Sequence, residues 1–443
     1  MRQSFLASSI SPPRQELRRR IACWIGTLGL AAVAIGFGAS TSAVNIGLAL
    51  LVVGAILVVD DIHRALKPAE YGLIAALVAF VCLNTLWAVQ VLQVDAELAS
   101  DSLRELLKVA GITALAAGWW MTHGRLSLRL LLTLLVVGIV LGTLPTINYQ
   151  GVLAGAGRLH LTSMNPNELG FFAGTLLLLS VIALLPGGVA NRADSKFSSW
   201  FRALFLVSSL VAVGMISLSQ SRAILLAGVG SLVLVIGIRS LRSASRGDHS
   251  KRHLVIAAVV TLLLTTALLL SPIGKMLGDR FDSLENSIYL FTSIGSDSTP
   301  PAGFRDQVRL LLWRDGLAQI KLAPFLGHGP GTPETFISAT GIAEIAHYKH
   351  YHNFWVNTLV SIGAVGTIGY LVLFFSLTLV ALRDAVKTDT LSSWMALALW
   401  FYFLIIILVQ LRINHPSGQA FFALAGGMSL HHLFASRSAP AQP

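Results

Sequence analysis

Charged side chains are scarce in this chain: Asp, Glu, Lys and Arg make up 12% of its 443 residues, against roughly 25% in an ordinary soluble domain. That scarcity excludes a soluble multidomain protein. Cysteine is nearly absent. Cys23 and Cys82 both lie inside apolar runs, so they read as packing residues and imply neither a disulfide nor a metal site. Internal repeats and heptad arrays are missing, and a short Ser/Ala/Pro tail is the one low-complexity tract. Residues 1–20 carry five arginines and no apolar core before Ile21, which excludes a cleavable signal and predicts a cytosolic tail.

What is present is apolar, 54% of the residues, in runs near the ~20 residues a helix needs to cross a bilayer. Twelve candidate spans emerge: 21–38, 42–59, 71–93, 105–122, 129–147, 169–188, 203–219, 223–238, 254–270, 353–382, 391–411 and 419–434. The expected fold class is an all-α polytopic membrane protein of about twelve transmembrane helices with one large loop containing short helices. The chain divides into a tail (1–20), helices 1–9 (21–270), a loop (271–352), helices 10–12 (353–434) and a second tail (435–443). The tenth run is too long for one straight span, so it projects into water, tilts, or bends at Gly363, Gly366 or Gly369.

The net charge of +11 raises nucleic acid as a partner, yet the basic residues sit in short segments between apolar runs, where they set topology. Nucleic-acid binding is not expected. With the N-terminus inside, twenty Lys/Arg fall in inner segments and five in short outer ones. Both termini are therefore placed in the cytoplasm and the 271–352 loop outside. The outer segment Val94 to Glu105 is acidic, in agreement.

The loop holds seven Lys/Arg and eight Asp/Glu. A helix is expected from Phe304 to Ala323, with an apolar stripe at Leu310, Trp313, Leu317 and Ile320 and a stop at Pro324. Arg305 and Arg309 lie on one flank of that stripe and Arg314 on the other. The loop closes with His347-Tyr348-Lys349-His350-Tyr351-His352-Asn353.

Topology puts Arg158, Arg222, Arg309 and His352 at the outer face, where none serves the inside-positive rule. An edge charge is more often a snorkelling anchor than a ligand, and for Arg158 alone that reading leads. Arg222 stands in a turn of one or two residues between two spans, where a lipid-facing guanidinium costs a few kcal/mol. An anionic partner resolves that cost, and arginine matches phosphate with two parallel donors. His352 has three readings: a helix-start residue satisfied by backbone, a metal ligand with His350 and His347, or a general base. No Cys or acidic partner stands beside the cluster, as zinc sites usually require, so the base ranks first and no metal is expected. Gly327 to Gly331 fits a phosphate cradle or a plain turn equally. Asp60-Asp61 reads as an ordinary inner loop.

Several of these residues together resemble the O-antigen ligase family, within a wider group of membrane glycosyltransferases that includes O-antigen polymerases and protein O-oligosaccharyltransferases. The resemblance rests on Asn165-Pro166-Asn167 after Arg158, the Ser221-Arg222 junction, and Arg309-x-x-x-Trp313 leading into Pro324-Phe325-Leu326-Gly327-His328-Gly329. His352-Asn353, followed by Leu359, Gly363 and Gly366, completes it. Ala223 departs from the pattern, since many members have Gly after the Ser-Arg pair. The resemblance implies a GT-C-like fold, an undecaprenyl-diphosphate-linked O-antigen as donor and lipid A-core oligosaccharide as acceptor. It places the reaction at the periplasmic face of the bacterial inner membrane, amid membrane lipid and without a cofactor. His352, Arg222 and Arg309 are then the expected catalytic residues. Arg158 and Arg305 assist at the diphosphate, and Asn353, His350 and Asn167 are supporting residues.

A polysaccharide or lipid transporter would also have about twelve spans, but transporters tend to show paired halves and broken helices near the midplane. Here the polar residues cluster at one face. A membrane scaffold would leave the outer arginines incidental. The orientation is open to test: cysteines introduced at Ser250 and Ser338 are expected to label from opposite sides of the membrane. Labelling of both from outside would overturn it.

Overall fold

The computed structural model describes residues 12–148, 164–185, 199–219, 221–245 and 305–438. Among them the chain is helical without strands, an all-α polytopic membrane protein. In order the helices are α1 (Pro12–Ala39), α2 (Thr41–Leu57), α3 (Val59–Ala65), α4 (Pro68–Gln90), α5 (Ala96–Lys108), α6 (Ile112–His123), α7 (Leu128–Thr143), α8 (Pro166–Leu184), α9 (Ser199–Ser219), α10 (Arg222–Ser245), α11 (Arg305–Leu322), α12 (Thr332–Ala339), α13 (Phe354–Thr388), α14 (Leu391–Ile407) and α15 (Pro416–Ser438). Among the described residues seven spans are long and apolar enough to cross a membrane, or eight if the α2–α3 pair, bent by 79°, is one span. The expected span 254–270 lies outside the described residues.

Short polar side chains start several of these helices. Ser40, Asp95, Ser127, Asn165, Asn353 and Thr390 each accept from a backbone N–H in the first turn of α2, α5, α7, α8, α13 and α14, satisfying donors that a helix start leaves open. The core then runs through α13, α14 and α15. Phe374, Trp400, Phe403, Phe421 and Phe422 pack ring to ring at 5.5–6.3 Å between centroids. Phe171 of α8 joins them through Phe421 at 5.2 Å. Such pairs add about 0.5–1.5 kcal/mol each beyond burial, so α8 docks on a rigid frame.

The 35-residue α13 breaks at Gly363, where φ is 62° and ψ −170°. That settles the expected bend, because this backbone region is open to glycine and little else. A break within a membrane helix leaves amides and carbonyls that lipid cannot satisfy. The segment Pro324 to Gly329 satisfies them. His328 N donates to Val360 O at 2.8 Å and Gly329 N to Ser361 O at 2.7 Å, while Ala364 N and Val365 N donate to Pro324 O and Phe325 O at 2.9 and 3.1 Å. Asn84 of α4 donates to Leu326 O at 2.9 Å, so the segment is held between α4 and α13. The glycine-rich run therefore splints a helix. Its His328 and Gly329 amides are already used, which removes them from any phosphate cradle.

The run 105–122, expected as one span, is two helices. Amphipathic α5 carries Glu97, Asp101, Arg104, Glu105 and Lys108, and Gly111 turns the chain at φ 101° into the 12-residue α6. At about 1.5 Å per residue, α6 reaches only part of the way across a ~30 Å hydrocarbon layer.

Ion pairs gather at the end of the bundle opposite the splinted loop. Arg19 pairs with Asp61 at 2.7 Å, Arg242 with Asp389 at 2.7 Å and Arg437 with Glu70 at 2.5 Å. Asp60 pairs with Arg18 and Asp61 also with Arg64, so this acidic pair, expected in an ordinary loop, stands instead in the first turn of α3 and ties it to α1.

Gly363→Ala is expected to lower stability by at least about 2 kcal/mol, because it adds backbone strain and drives a Cβ into the Phe325 carbonyl. Gly237→Ala in α10, where nothing lies within 4 Å of the new carbon, should be neutral or gain up to about 1 kcal/mol. Thermal melts of the two purified variants check the contrast.

Candidate active site

Helix α11 packs on α13 through Leu312 and Gly316. Leu312, Ile337, Ile345, Tyr351 and Val360 form a second small core, each fully buried. Gly316 decides the helix rotation: Tyr351 and Val356 close directly onto it. The buried face is therefore centred on Leu312 and Gly316, and Leu317 of the expected stripe is left 44% exposed. Arg309 is half-buried and Arg314 exposed, so the expected separation of these two arginines stands on a rotated helix.

Three bonds pin the residue before His352. Tyr351 OH donates to Asp315 Oδ2 at 2.8 Å, Trp313 Nε1 donates to Tyr351 O at 3.0 Å and Tyr351 N donates to Asn357 Oδ1 at 3.4 Å. Burial, then the Asp315 contact, pushes the Tyr351 hydroxyl pKa up, so it stays a donor. His352 itself has φ 52°, a left-handed conformation uncommon for a side-chain-bearing residue. Its N–H donates to His350 Nδ1 at 3.3 Å, and the rings of His350 and Tyr348 meet the His352 ring edge-on at 4.3 and 5.0 Å. Burial, then the field of His350, Arg309 and Arg412, lowers the His352 pKa to about 3. Burial lowers His350 as well. Both rings are neutral at physiological pH.

The neighbouring loop, 408–415, joins α14 to α15. Asn353 ties it down: its Oδ1 accepts from Trp355 N and Val356 N at 2.9 and 3.2 Å, and its Nδ2 donates to Leu408 O at 2.9 Å. Arg412 Nε donates to Gln410 Oε1 at 2.9 Å, and the guanidinium lies 5.4 Å from the Phe171 ring centroid. His415 Nδ1 sits 3.1 Å from Glu168 Oε1 at the start of α8. Two residues further along α8, Gly170 lets the α9–α10 turn approach: an added Cβ would lie 2.9 Å from Ser219 Oγ and 3.0 Å from Ile224 Cγ1. The backbone of Arg222, first residue of α10, thus starts at the same end as Glu168, His415 and Arg412.

Of the residues expected from sequence, Arg309 stands within electrostatic reach of His352. The structure places Asn353 as a helix cap and loop tie, and His350 as acceptor for the His352 amide. Asn167, half-buried in the first turn of α8, donates through its amide to Asn165 Oδ1 at 2.9 Å. Arg158 lies outside the described residues, as do the side chains of Arg222 and Arg305. The His347 ring lies against that of Tyr348 at 4.2 Å, tilted by 37°, and among the described residues no three His, Cys, Asp or Glu converge as metal ligands. Sequence reasoning missed Arg412, Glu168 and His415. Arg412 carried a signal, being one of the five basic residues in short outer segments.

Residues 207–371 match the family model described as O-antigen ligase. The chain carries an O-antigen ligase family domain. This domain runs from within α9 past the break in α13, enclosing Arg222, Arg305, Arg309, His350, His352 and Asn353 and leaving Arg158, Asn167, Glu168, Arg412 and His415 outside. The match supports an O-antigen ligase or polymerase type of function in general, a membrane glycosyltransferase-like activity on polysaccharide and lipid-linked substrates. No curated protein matches the chain.

Asn353→Ala removes both the ligase domain's helix cap and the tie to Leu408, and should cost about 1–2 kcal/mol. Asn353→Asp keeps the cap but sets a carboxylate against the Leu408 carbonyl, so it should recover only part of that loss. Chemical or thermal unfolding of the three proteins reads the order directly.

Proposed function

We propose that the protein transfers O-antigen polysaccharide from undecaprenyl diphosphate to a sugar hydroxyl of lipid A-core oligosaccharide. The reaction takes place at the periplasmic face of the inner membrane, with both termini in the cytoplasm. The observation that carries this reading is the pair formed by His352 and Arg309 inside the ligase domain: a neutral imidazole held in a left-handed turn, in the field of a half-buried guanidinium. Arg309 has no carboxylate within ion-pair distance among the described residues, in contrast to Arg19, Arg242 and Arg437 at the other end. An anion is its natural partner.

The chemistry is a single displacement. The acceptor hydroxyl oxygen attacks the anomeric carbon, the bond from that carbon to the diphosphate oxygen breaks, and its electron pair leaves with the diphosphate. The hydroxyl proton passes to His352. Arg222 and Arg309, with Arg158 and Arg305 assisting, take the growing negative charge without a metal, the kind of preorganised field that supplies the largest catalytic share in many enzymes. Burial first, then the field of His350, Arg309 and Arg412, depresses the imidazole's basicity, and a base works best with a pKa near the working pH. Bound diphosphate offsets the charge of the arginines and raises the His352 pKa, so the donor makes it a better base.

Purified protein given lipid-linked O-antigen and lipid A-core is expected to form the joined product; elongation of the donor instead would make it a polymerase. His352→Ala should abolish transfer yet keep carrier binding. Rate is lost as pH falls through the His352 pKa, and donor binding raises that pKa. The acid limb of kcat, which reports the donor complex, should therefore lie at higher pH than that of kcat/KM, which reports the free enzyme. The reverse order would remove His352 from the role of base.

A further inference from the structure

Arg412 is 8% exposed and lies outside the matched family domain, yet the fold invests several contacts in holding it. Asn353 fixes Leu408 at the start of its loop, Gln410 accepts from its Nε, Phe171 lies beneath its guanidinium and His415 N donates to its carbonyl at 3.1 Å. Gly418 has no side chain where a Cβ would strike that same carbonyl. Among the described residues no carboxylate stands within ion-pair distance of Arg412. The acidic group in its field is Glu168, whose carboxylate is engaged by His415. Taking a guanidinium out of water without a direct counter-ion is costly, and such a charge persists where an anion completes it. The Asn353 tie carries this loop to the backbone of the residue that follows His352.

We propose that Arg412 is a further diphosphate-binding residue, gripping the donor from the α14–α15 side of the site while Arg309 grips it from α11. This rests on the lipid-diphosphate donor proposed above. A diphosphate diester gains a negative charge when its sugar leaves, and two guanidiniums on separate elements can hold both phosphates through that change. A single two-pronged donor set spans only one of them. The Phe171 ring and Gln410 orient the Arg412 fork, so position as well as charge matters.

The test titrates undecaprenyl diphosphate and undecaprenyl monophosphate into the detergent-purified full chain. Arg412→Gln is expected to weaken diphosphate binding roughly ten- to a hundredfold, as for loss of a charge-assisted contact, and monophosphate binding much less. Arg412→Lys should restore only part, lacking the fork, and Arg314→Gln should bind as the parent does. An Arg412→Gln protein that melts like the parent and binds diphosphate equally well overturns the proposal. Should Arg412→Gln fail to fold, Arg412→Lys decides: diphosphate binding at least fivefold weaker sustains the assignment and unchanged binding ends it. If the parent protein binds neither lipid, the donor reading fails and this inference falls with it; if the parent binds and Arg412 is indifferent, only this inference falls.

Discussion

The break in α13 is the constraint from which the rest of the site follows. A helix interrupted at Gly363 must find partners for the backbone groups it frees, because hydrocarbon offers none. Four hydrogen bonds from the Pro324–Gly329 segment meet that need, and they lock the end of α11 against the upper half of α13. Gly327 shares the positive φ, 71°, and a Cβ there would run into Ser361 at 2.6 Å. The loop is thereby built into the membrane domain at the depth of Asn84 and Leu326. Arg309 on α11 and His352 just before α13 sit on two elements joined by this splint and by the Tyr351, Trp313 and Asp315 contacts.

The two ends of the bundle treat charge differently, and the difference is physical. At one end arginines meet carboxylates in short pairs that tie α1 to α3, α10 to the end of α13, and α15 to α4. Pairs with exposed partners contribute little energy each, but they fix which helix ends lie together. At the other end Arg309 and Arg412 lack such partners among the described residues, and Glu168 is engaged by His415. Lys349 with Glu334 and Arg104 with Asp101 also pair at that end, so the distinction belongs to Arg309 and Arg412, whose charge is available to an anionic ligand of the kind proposed.

Much of this was legible in the sequence, and the gaps have physical causes. Hydrophobic run length gave the polytopic class and marked the run from 353 as too long for one straight span, with a bend among three alternatives, while spacing and Pro324 gave the α11 helix within one residue at each end. Periodicity misplaced the α11 stripe because it weighs side-chain size, whereas the closest packing occurs at Gly316, where there is no side chain. The run 105–122 read as one span because Gly111 sits among small apolar residues and its left-handed turn has no hydropathic signature. The glycine-rich run was open between two roles since a phosphate cradle and a splint both need bare, close-approaching backbone; only the carbonyls of Val360 and Ser361 decide between them. Arg412 passed unnoticed for a simpler reason. A lone charge in a short loop looks like an anchor until the fold shows it buried on Phe171.

What the fold builds around His352 is position, and basicity is left to come from elsewhere. The left-handed backbone, the His350 acceptor beneath the amide and the anchored Tyr351 preset where the imidazole stands before anything binds. The same burial, and the same arginines that suit a diphosphate, make that imidazole a poor base on its own. In a site of this design the two demands conflict only while no anion is bound. An anion between the guanidiniums and the ring would offset the arginines' share of that suppression, while burial, the larger cause, would remain. In the proposed reaction such a base would accept a proton more readily with the donor in place, which would couple the order of binding to the chemistry.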